Sequence, residues 1–333
     1  MKSAPSSLTT TVKTAGAGLL AGVAAAGASL LVRATYEHGR ALAERGFTVR
    51  HETFPVLSPG AEPIKVLHLG DIHLTPGQHH KLAWLKALAA LEPDVVINTG
   101  DNLGHPEVNA ELLDVLEPLL AVPGVFVPGS NDYYAPIKKN PLRYFLTPAA
   151  KVGAKDDHPV LPWQELFAGF SRNWLDLTNR TGRLQINGTE LLFSGVDDPH
   201  LRREAFPGFP ITGRESAKTG RAPVRIGVLH APYQRVLNQM TAQRADVLFA
   251  GHTHGGQICL PGSRALVSNC DLPPSLASGA THWNATDATG QQRSAWLNIT
   301  AGIGSAPTVP LRFFCPPEAV LVTLTAGAEP SAP

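Results

Sequence analysis

The stretch Gly251-His252-Thr253-His254-Gly255-Gly256-Gln257 decides how the rest of the chain is interpreted. It follows the apolar run 246–250 (DVLFA), which has the length of a buried strand and ends at a glycine. Such a strand delivers two imidazoles, two residues apart, onto the loop beyond it. Neutral imidazole is the commonest nitrogen ligand of metals in proteins. An isolated His-x-His indicates a metal site only weakly, so the remaining ligands have to come from elsewhere in the chain.

The composition is typical of a folded protein and gives no indication of a nucleic-acid partner. The 333 residues suffice for one large domain or two small ones, and 43% of them are hydrophobic against 17% charged. The formal net charge of +1 gives no electrostatic reason to expect nucleic acid. The three cysteines, Cys259, Cys270 and Cys315, show no Cys-x-x-Cys spacing, which argues against a zinc ribbon or a disulfide scaffold. The sequence leaves open whether one pair of them forms a disulfide, and in which redox compartment the protein lies.

Residues 14–32 form an uncharged run of Thr, Ala, Gly, Leu, Val and Ser. As a helix this run would measure about 28 Å, close to the hydrocarbon thickness of a bilayer. We expect residues 1–46 to form an N-terminal membrane anchor with a linker helix, and residues 47–333 a separate catalytic domain. A cleaved signal peptide and a buried helix are the alternatives. The basic residues on both sides of the run are balanced, so the orientation in the membrane is not predicted.

Three successive apolar runs each predict a short buried strand that ends in a polar turn. The runs are 64–69, 94–98 and 124–127, and the spacing of apolar residues predicts helices at 81–91 and 108–121 between them. Ligands in α/β proteins bind beyond the carboxyl ends of strands. Three such turns in a row therefore predict a common site. The polar residues in these turns are Asp71, His73, Asp101, Asn131 and Asp132.

The second half of the chain supplies further histidines at strand ends. Strands are predicted at 191–196 and 225–229, and they are followed by His200 and His230. A helix at about 233–243 leads into the strand before the opening stretch. Between these strands, residues 202–223 are basic and turn-rich, and we expect them to form a lid-like excursion.

These motifs resemble, in order and spacing, the calcineurin-like metallophosphoesterase superfamily, over roughly residues 60–325. The chain looks most like its membrane-associated bacterial branch, which includes lipid-precursor pyrophosphatases and related phosphodiesterases. That branch typically ends with a strand, a Gly-x-Gly turn, Arg-Phe and Pro-Glu. The corresponding residues here are 298–300, 302–304, Arg312-Phe313 and Pro317-Glu318. The resemblance implies an α/β four-layer fold, with two packed mixed β-sheets flanked by α-helices.

The resemblance also implies two divalent metal ions. Carried over residue by residue, one metal would bind Asp71, His73 and His254, and the second Asn131, His230 and His252. Asp101 would bridge the two. Two cations about 3.5–4 Å apart hold a bridging hydroxide and grip the phosphoryl oxygens of an in-line displacement. Mixed nitrogen and oxygen ligands suit Mn, Fe, Zn or Co better than Mg or Ca.

One block departs from the family pattern. The usual string is Gly-Asn-His-Asp or Gly-Asn-His-Glu, in which Asn binds metal and His acts on the phosphate or the leaving group, whereas this chain has Gly129-Ser130-Asn131-Asp132. We expect Asn131 to be the ligand, because a hydroxyl is a poor substitute for an amide oxygen. Asp132 then stands in the place of the His. A gapless match instead puts Ser130 at the ligand and Asn131 at the His. His200 and His105 are the alternative proton donors, unless the leaving group needs none.

We therefore expect a metal-dependent phosphoesterase that hydrolyses a phosphodiester or pyrophosphate bond of a lipid or lipid-linked nucleotide at a membrane. Asp132 and His200 are the predicted catalytic residues beside the metal ligands. The first alternative is a phosphodiesterase for soluble nucleotides or cell-wall phosphates. The second is a metal-binding membrane protein with little catalysis, which the altered block at residues 129–132 makes conceivable.

Overall fold

Apolar strands alternate with amphipathic helices along the chain, and the strands assemble into two six-stranded mixed sheets. The computed structural model describes residues 29–136, 158–211, 221–306 and 309–327. The first sheet contains, in spatial order, β1 (Thr48–Leu57), β14 (Glu318–Ala326), β2 (Ile64–Leu69), β3 (Val95–Asn98), β4 (Gly124–Phe126) and β5 (Trp174–Asp176). The second contains β12 (Gly279–Thr286), β13 (Gln292–Ile299), β9 (Val247–Ala250), β8 (Val224–Val228), β7 (Thr189–Gly195) and β6 (Thr181–Ile186).

Helices cover the outer faces of the sheets. They are α1 (29–45), α2 (His79–Ala87), α3 (Asn109–Leu120), the single turn α4 (Ser130–Tyr133), α5 (Trp163–Phe170) and α6 (Gln234–Ala242). Helix α3 illustrates the packing: Leu112, Leu116 and Leu119 recur at helical spacing, and all three are buried against the first sheet and its neighbouring helices. A small hairpin, β10 (Cys259–Leu260) and β11 (Arg264–Ala265), follows the opening stretch.

The core between the sheets is continuous. Phe54, Val66 and Ile97 from the first sheet belong to the same buried apolar cluster as Phe193 and Phe249 from the second. Because both faces of the central strands are covered, their sequences are apolar without alternation, as expected for buried strands. The four-layer α/β architecture with two mixed sheets, predicted from the resemblance, is confirmed.

The direction of the strands positions the functional loops. Strands β2, β3 and β4 are parallel to one another, as are β7, β8 and β9. Their carboxyl ends therefore lie at the same edge of each sheet. The sequence did not reveal that β14, the last strand, inserts between β1 and β2, parallel to the former and antiparallel to the latter.

The N-terminal predictions are covered only in part. Most of the predicted anchor 14–32 lies outside the described residues, and its last four residues belong to α1. No helix within the described ranges is long and apolar enough to cross a membrane. The second half of α1 packs on the protein body, because Arg312 N donates to Gly39 O at 3.0 Å and the Phe313 ring covers Gly39.

The predicted excursion 202–223 is described up to residue 211 and from residue 221. In its first part Phe206 and Phe209 pack edge to face and contact the apolar cluster outside the second sheet. The guanidinium of Arg203 stacks over the Tyr133 ring at 4.7 Å from its centroid. This part is thus held against the body, and its role as a lid stays a prediction.

Candidate metal centre

Two triads of predicted ligands meet where the two sheets open. Asp71, His73 and His254 form one triad, in which the candidate ligand atoms all lie within 4.8 Å of one another. Asp101, His230 and His252 form the other under the same limit. All six residues are buried. The strand ends that carry them are far apart in sequence, and the packing of the two sheets brings them together.

Asp101 links the triads. Its Oδ2 lies 3.5 Å from His73 Nε2 and 3.5 Å from His230 Nε2. Within the first triad His254 Nε2 lies 3.2 Å from His73 Nε2 and 3.7 Å from Asp71 Oδ1. Ligands about 2.0–2.2 Å from one cation lie about 3–3.5 Å from each other in tetrahedral or octahedral geometry. The spacing fits two cations that share the Asp101 carboxylate.

The outer ring nitrogens of the four histidines are fixed by neighbours, which aims the other nitrogen at the centre. The contacts are His230 Nδ1 with Thr99 O (2.7 Å), His252 Nε2 with Asn269 O (3.1 Å), His254 Nδ1 with Gly304 O (3.3 Å) and His73 Nδ1 with Asn131 Nδ2 (3.3 Å). Three of these are backbone carbonyls that accept an N–H, which fixes the tautomer and orientation of the ring. Nothing in the local sequence marked Thr99, Asn269 or Gly304 for this role.

The backbone at the site is strained in a consistent way. Five predicted ligands have a positive φ, in the left-handed region that side chains other than glycine rarely adopt: Asp71, His73, Asp101, His252 and His254. Such conformations persist only where the surroundings impose them, and they cluster at functional sites. Gly251 has a packing reason, since a Cβ there would lie 2.5 Å from Asp71 Oδ2.

Burial keeps most of the imidazoles neutral. It lowers the pKa of His73 to about 4 and holds the pKa of His252 and of His254 well below the ordinary value. Neutral imidazole is the form that binds metal. His230 differs: burial would lower its pKa, but the neighbouring Asp101 carboxylate outweighs burial and raises it.

Burial disfavours the charged form of the two carboxylates at the centre. Burial, reinforced by the charge of Asp101, raises the pKa of Asp71 to about 7. For Asp101 burial acts in the same direction, but His230 and His73 hold its pKa well below the usual range. Asp71 therefore needs additional positive charge to be ionised together with Asp101. The donor set therefore fits a pair of divalent cations.

Asp132 makes its hydrogen bonds with the loops around the two triads. Its side chain is completely buried, and its two oxygens accept four hydrogen bonds. The donors are Gly129 N (2.8 Å), Asp101 N (2.9 Å), Asn102 N (2.8 Å) and Asn102 Nδ2 (3.0 Å). Both oxygens are thus engaged by donors of the neighbouring loops, which indicates a bracing role. The prediction that Asp132 takes the place of the family histidine stays a prediction.

Asn131 lies at the centre, beside His73. Its backbone N–H donates to Asp101 Oδ1 at 2.6 Å, and its side chain is in contact with His73 Nδ1 and with Ser130 Oγ. It is partly exposed, whereas Ser130 is buried. The prediction that Asn131 binds the second metal with His230 and His252 stays a prediction.

His200 reaches the site through the second triad. Its ring centroid lies 4.6 Å from that of His252, and its Nδ1 lies 3.1 Å from the hydroxyl of Tyr233. Its backbone N–H donates to Asp198 Oδ1 at 2.8 Å, which shapes the turn. His105, the other alternative, instead accepts the N–H of Glu107 at 3.3 Å and has a side chain that is 42% exposed.

Arg312 is the main feature near the centre whose place the sequence did not predict. It is completely buried and donates to the carbonyls of Ala301, Gly302 and Gly304 at 2.7, 3.2 and 2.5 Å. It thereby links the segment before β14 to the loop after β13. The Arg-Phe pair was noted in the sequence, but nothing there indicated a buried, carbonyl-binding guanidinium.

Comparisons with known proteins agree with this geometry. Two curated relatives are similar over most of their length. An uncharacterised metallophosphoesterase of Aquifex aeolicus is 22% identical over 84% of this chain and 90% of its own. The protein YpbG of Bacillus subtilis is 26% identical over 84% and 88%.

Solved structures of lower similarity include TT1561 of Thermus thermophilus (11% identity, TM-score 0.38, 74% of this chain and 91% of that one). A dimetal phosphatase from Danio rerio gives 11% identity and a TM-score of 0.34 over 74% and 90%. The family model described as calcineurin-like phosphoesterase matches residues 64–256, more than half of the chain. The chain therefore belongs to the calcineurin-like phosphoesterase family and is a metal-dependent phosphohydrolase with a dinuclear divalent metal centre.

Proposed function

We propose that the protein hydrolyses a phosphodiester or pyrophosphate bond of a lipid or lipid-linked nucleotide at a membrane surface. The observation that carries the chemistry is the position of Asp101 Oδ2, at equal distance from His73 Nε2 and His230 Nε2. When bound, two divalent cations supply a nucleophile at neutral pH by lowering the pKa of water, and they neutralise charge on the phosphoryl oxygens.

The residues of the chain would bind the two cations and the substrate. Asp71, His73 and His254 would hold one cation, His230 and His252 would hold the other, and Asp101 would be shared by both. For the altered block we propose the gapless assignment, in which Ser130 takes the ligand place and Asn131 the place of the family histidine. The buried, four-bonded Asp132 supports this assignment, because it leaves Asn131 as the partly exposed polar side chain of that turn. His200, whose ring lies beside that of His252, would contact the substrate.

An exposed apolar surface supports the lipid substrate. Ile258, Leu260, Leu266 and Phe314 are large apolar residues that are 37–54% exposed, and they lie on or next to the hairpin that follows His254. Exposed apolar clusters of this kind mark interaction surfaces. Here the surface lies beside the metal centre, where an amphiphilic substrate would approach.

The same surface is continuous with helix α1. Strand β10 pairs with the segment that contains Phe313, whose ring covers Gly39 of α1. At the start of the described part of α1, Leu30, Leu31 and Val32 are about 70% exposed. They end the uncharged run 14–32, which we propose as the membrane anchor.

The test is a substrate comparison with the full chain and added Mn²⁺. A detergent-dispersed lipid pyrophosphate, a nucleoside diphosphate ester and an aryl phosphodiester are assayed in parallel. We expect the lipid pyrophosphate to give the highest kcat/KM of the three substrates. Equal or higher kcat/KM for the water-soluble nucleotide would overturn the lipid assignment and favour a soluble substrate. Resistance of the full chain to carbonate extraction tests the anchor separately.

A further inference from the structure

Two of the three cysteines bring their thiols together behind the loop that carries His254. Cys259, on β10, and Cys315, on the segment before β14, are both 4% exposed, and the proximity of the two thiols raises the pKa of Cys259 and lowers that of Cys315. The sulfur atoms also approach the same atom, Gly255 O, at 3.1 and 3.6 Å. Cys270 is only half-buried, and its carbonyl accepts a hydrogen bond from Ser268.

The backbone explains how the pair is assembled. Cys259 N donates to Phe313 O at 2.9 Å, and Phe313 N donates to Gln257 O at 3.1 Å, so the two segments run in parallel. Phe314 then adopts a left-handed conformation with φ of 50°, its ring is 54% exposed, and the chain beyond it buries Cys315. A bulky residue rarely adopts this conformation unless its surroundings impose it.

Both thiols touch the backbone of the metal-ligand loop. Cys259 Sγ donates to Gly255 O, and Cys315 Sγ lies 3.4 Å from His254 O as a further donor. Packing is equally close: a Cβ on Gly255, whose φ is 60°, would lie 2.7 Å from Cys315 Sγ. A change in these two sulfurs therefore acts directly on the peptide groups that position His254.

We propose that Cys259 and Cys315 form a reversible disulfide that controls the His254 loop. A small peroxide is the oxidant. Hydrogen peroxide converts one thiol to a sulfenic acid and releases water, and the second thiol then attacks that sulfur, releasing a second water and closing the S–S bond. The disulfide carries no S–H, so the carbonyls of His254 and Gly255 lose both donors. A dithiol reductant returns two thiols and restores the contacts.

The disulfide itself is independent of the proposed function; its effect on metal binding rests on the assignment of His254 as a ligand. Outer contacts of metal ligands typically change affinity about 10–100-fold. Thiols are weak donors, so we expect about 10-fold weaker binding of Mn²⁺ to the oxidised protein, measured by competition with a chelating dye.

The experiment treats the full chain with hydrogen peroxide, alkylates the remaining thiols and maps the peptides by mass spectrometry. We expect a Cys259–Cys315 linked peptide with a mass lower by two hydrogens, which dithiothreitol removes. Cys270→Ser is the matched control and should form the same link. Cys259→Ser and Cys315→Ser should each abolish the link and the change in Mn²⁺ affinity.

Each other result overturns part of the proposal. If both thiols are alkylated after peroxide treatment, or if the link contains Cys270, the disulfide is refuted. A mapped Cys259–Cys315 link with unchanged Mn²⁺ affinity refutes the control of the His254 loop. Mapping the disulfide by mass spectrometry requires no catalytic activity. A failure of the phosphoesterase assays can therefore be distinguished from a failure of the disulfide proposal.

Discussion

The carboxylate of Asp132 accepts the backbone N–H of Asp101 at 2.9 Å, so the loop after β4 braces the loop after β3. The same carboxylate accepts N–H groups from Gly129 and Asn102. In turn, Asn131 N donates to Asp101 Oδ1 at 2.6 Å, which closes a reciprocal link between the two loops. The position of the Asp101 carboxylate therefore depends on a buried residue outside the two triads.

Replacing Asp132 by Asn tests this bracing role. The amide group of Asn would point a donor at N–H groups that now have an acceptor, so at least one buried bond to a charged group is lost. We expect a decrease of about 3 kcal/mol in the free energy of unfolding. Chemical denaturation measures the change, and Asp114→Asn on the exposed side of α3 is the matched control. Equal stability of the two variants would contradict the bracing role.

Asp101→Ala tests the shared carboxylate. Because Asp101 Oδ2 faces both triads, its removal should weaken both sites, and we expect metal content after reconstitution to fall from two ions per chain to one or fewer. Elemental analysis gives the ratio, and Asp114→Ala is the control. A metal content unchanged in Asp101→Ala would exclude its bridging role.

Chelation of the metals should lower the melting temperature of the wild type. Bound ions favour the folded state, and without them burial and the charge of Asp101 disfavour the ionised form of the Asp71 carboxylate. Calorimetry with and without EDTA measures the shift. Asp101→Ala should show a smaller shift than the wild type, and equal shifts would contradict its place in the centre.

His68 makes the stability dependent on pH. It is buried between the sheets, where Thr99 Oγ1 lies 3.0 Å from its Nε2 and Asn298 Nδ2 donates to its Nδ1 at 2.8 Å. Burial, followed by the charge of Arg50, lowers its pKa to about 3. In the unfolded chain the pKa is about 6.5, so between these values only the unfolded state binds the proton. Stability is therefore lost as pH falls from about 6.5 to about 3.

His68→Gln isolates this contribution, because Gln keeps an amide donor and acceptor but does not titrate. Each pH unit in the window corresponds to about 1.4 kcal/mol. Because pH 6.5 is the midpoint of the titration in the unfolded state, the wild type should lose about 1.6 kcal/mol more than the variant between pH 6.5 and 5. Denaturant titrations in EDTA at both pH values give the difference. Parallel losses in the two proteins would show that His68 is protonated in the folded state.

The sequence predicted the architecture and the six residues of the two triads because each is a local pattern repeated along the chain. A short apolar run followed by a polar turn is visible at Asp71, Asp101 and His230 without any knowledge of neighbours. The number of residues between the end of each strand and the ligand that follows it can be read directly from the sequence. Helix boundaries such as those of α3 were predicted to within a residue for the same reason.

What the sequence did not reveal depends on contacts between distant segments. The hydrogen bonds of Asp132 were not predicted because its partners, Asp101 and Asn102, lie on another loop, and an acidic residue beside a metal motif looks the same in sequence whether it faces the cleft or the core. The thiol pair Cys259–Cys315 and the buried Arg312 arise from the segment that returns to β14. No local spacing encodes such a return.

The leaving group provides the last test. General acid help is typically worth about 10²–10⁴-fold in rate, and no imidazole occupies position 131. Asn131 is partly exposed beside His73 and cannot give up a proton, so we expect the wild-type rate to depend steeply on the acidity of the leaving group. Asn131→His should raise the rate for alkyl esters by about 10²-fold and leave aryl esters nearly unchanged. Asn131→Ala, with no titratable group, is the control for altered packing.

The measurement is a series of phosphodiesters with graded leaving-group pKa, assayed together with elemental analysis of each variant. If the wild-type series is flat, another residue supplies the proton, and His200→Gln should then make the dependence steep, since His200 lies beside His252. If Asn131→His and Asn131→Ala lose a metal ion while Ser130→Ala keeps both, Asn131 is a ligand and the gapless assignment is wrong. Retention of both ions in Asn131→His, with a flatter dependence, supports Asn131 as the residue in the leaving-group position.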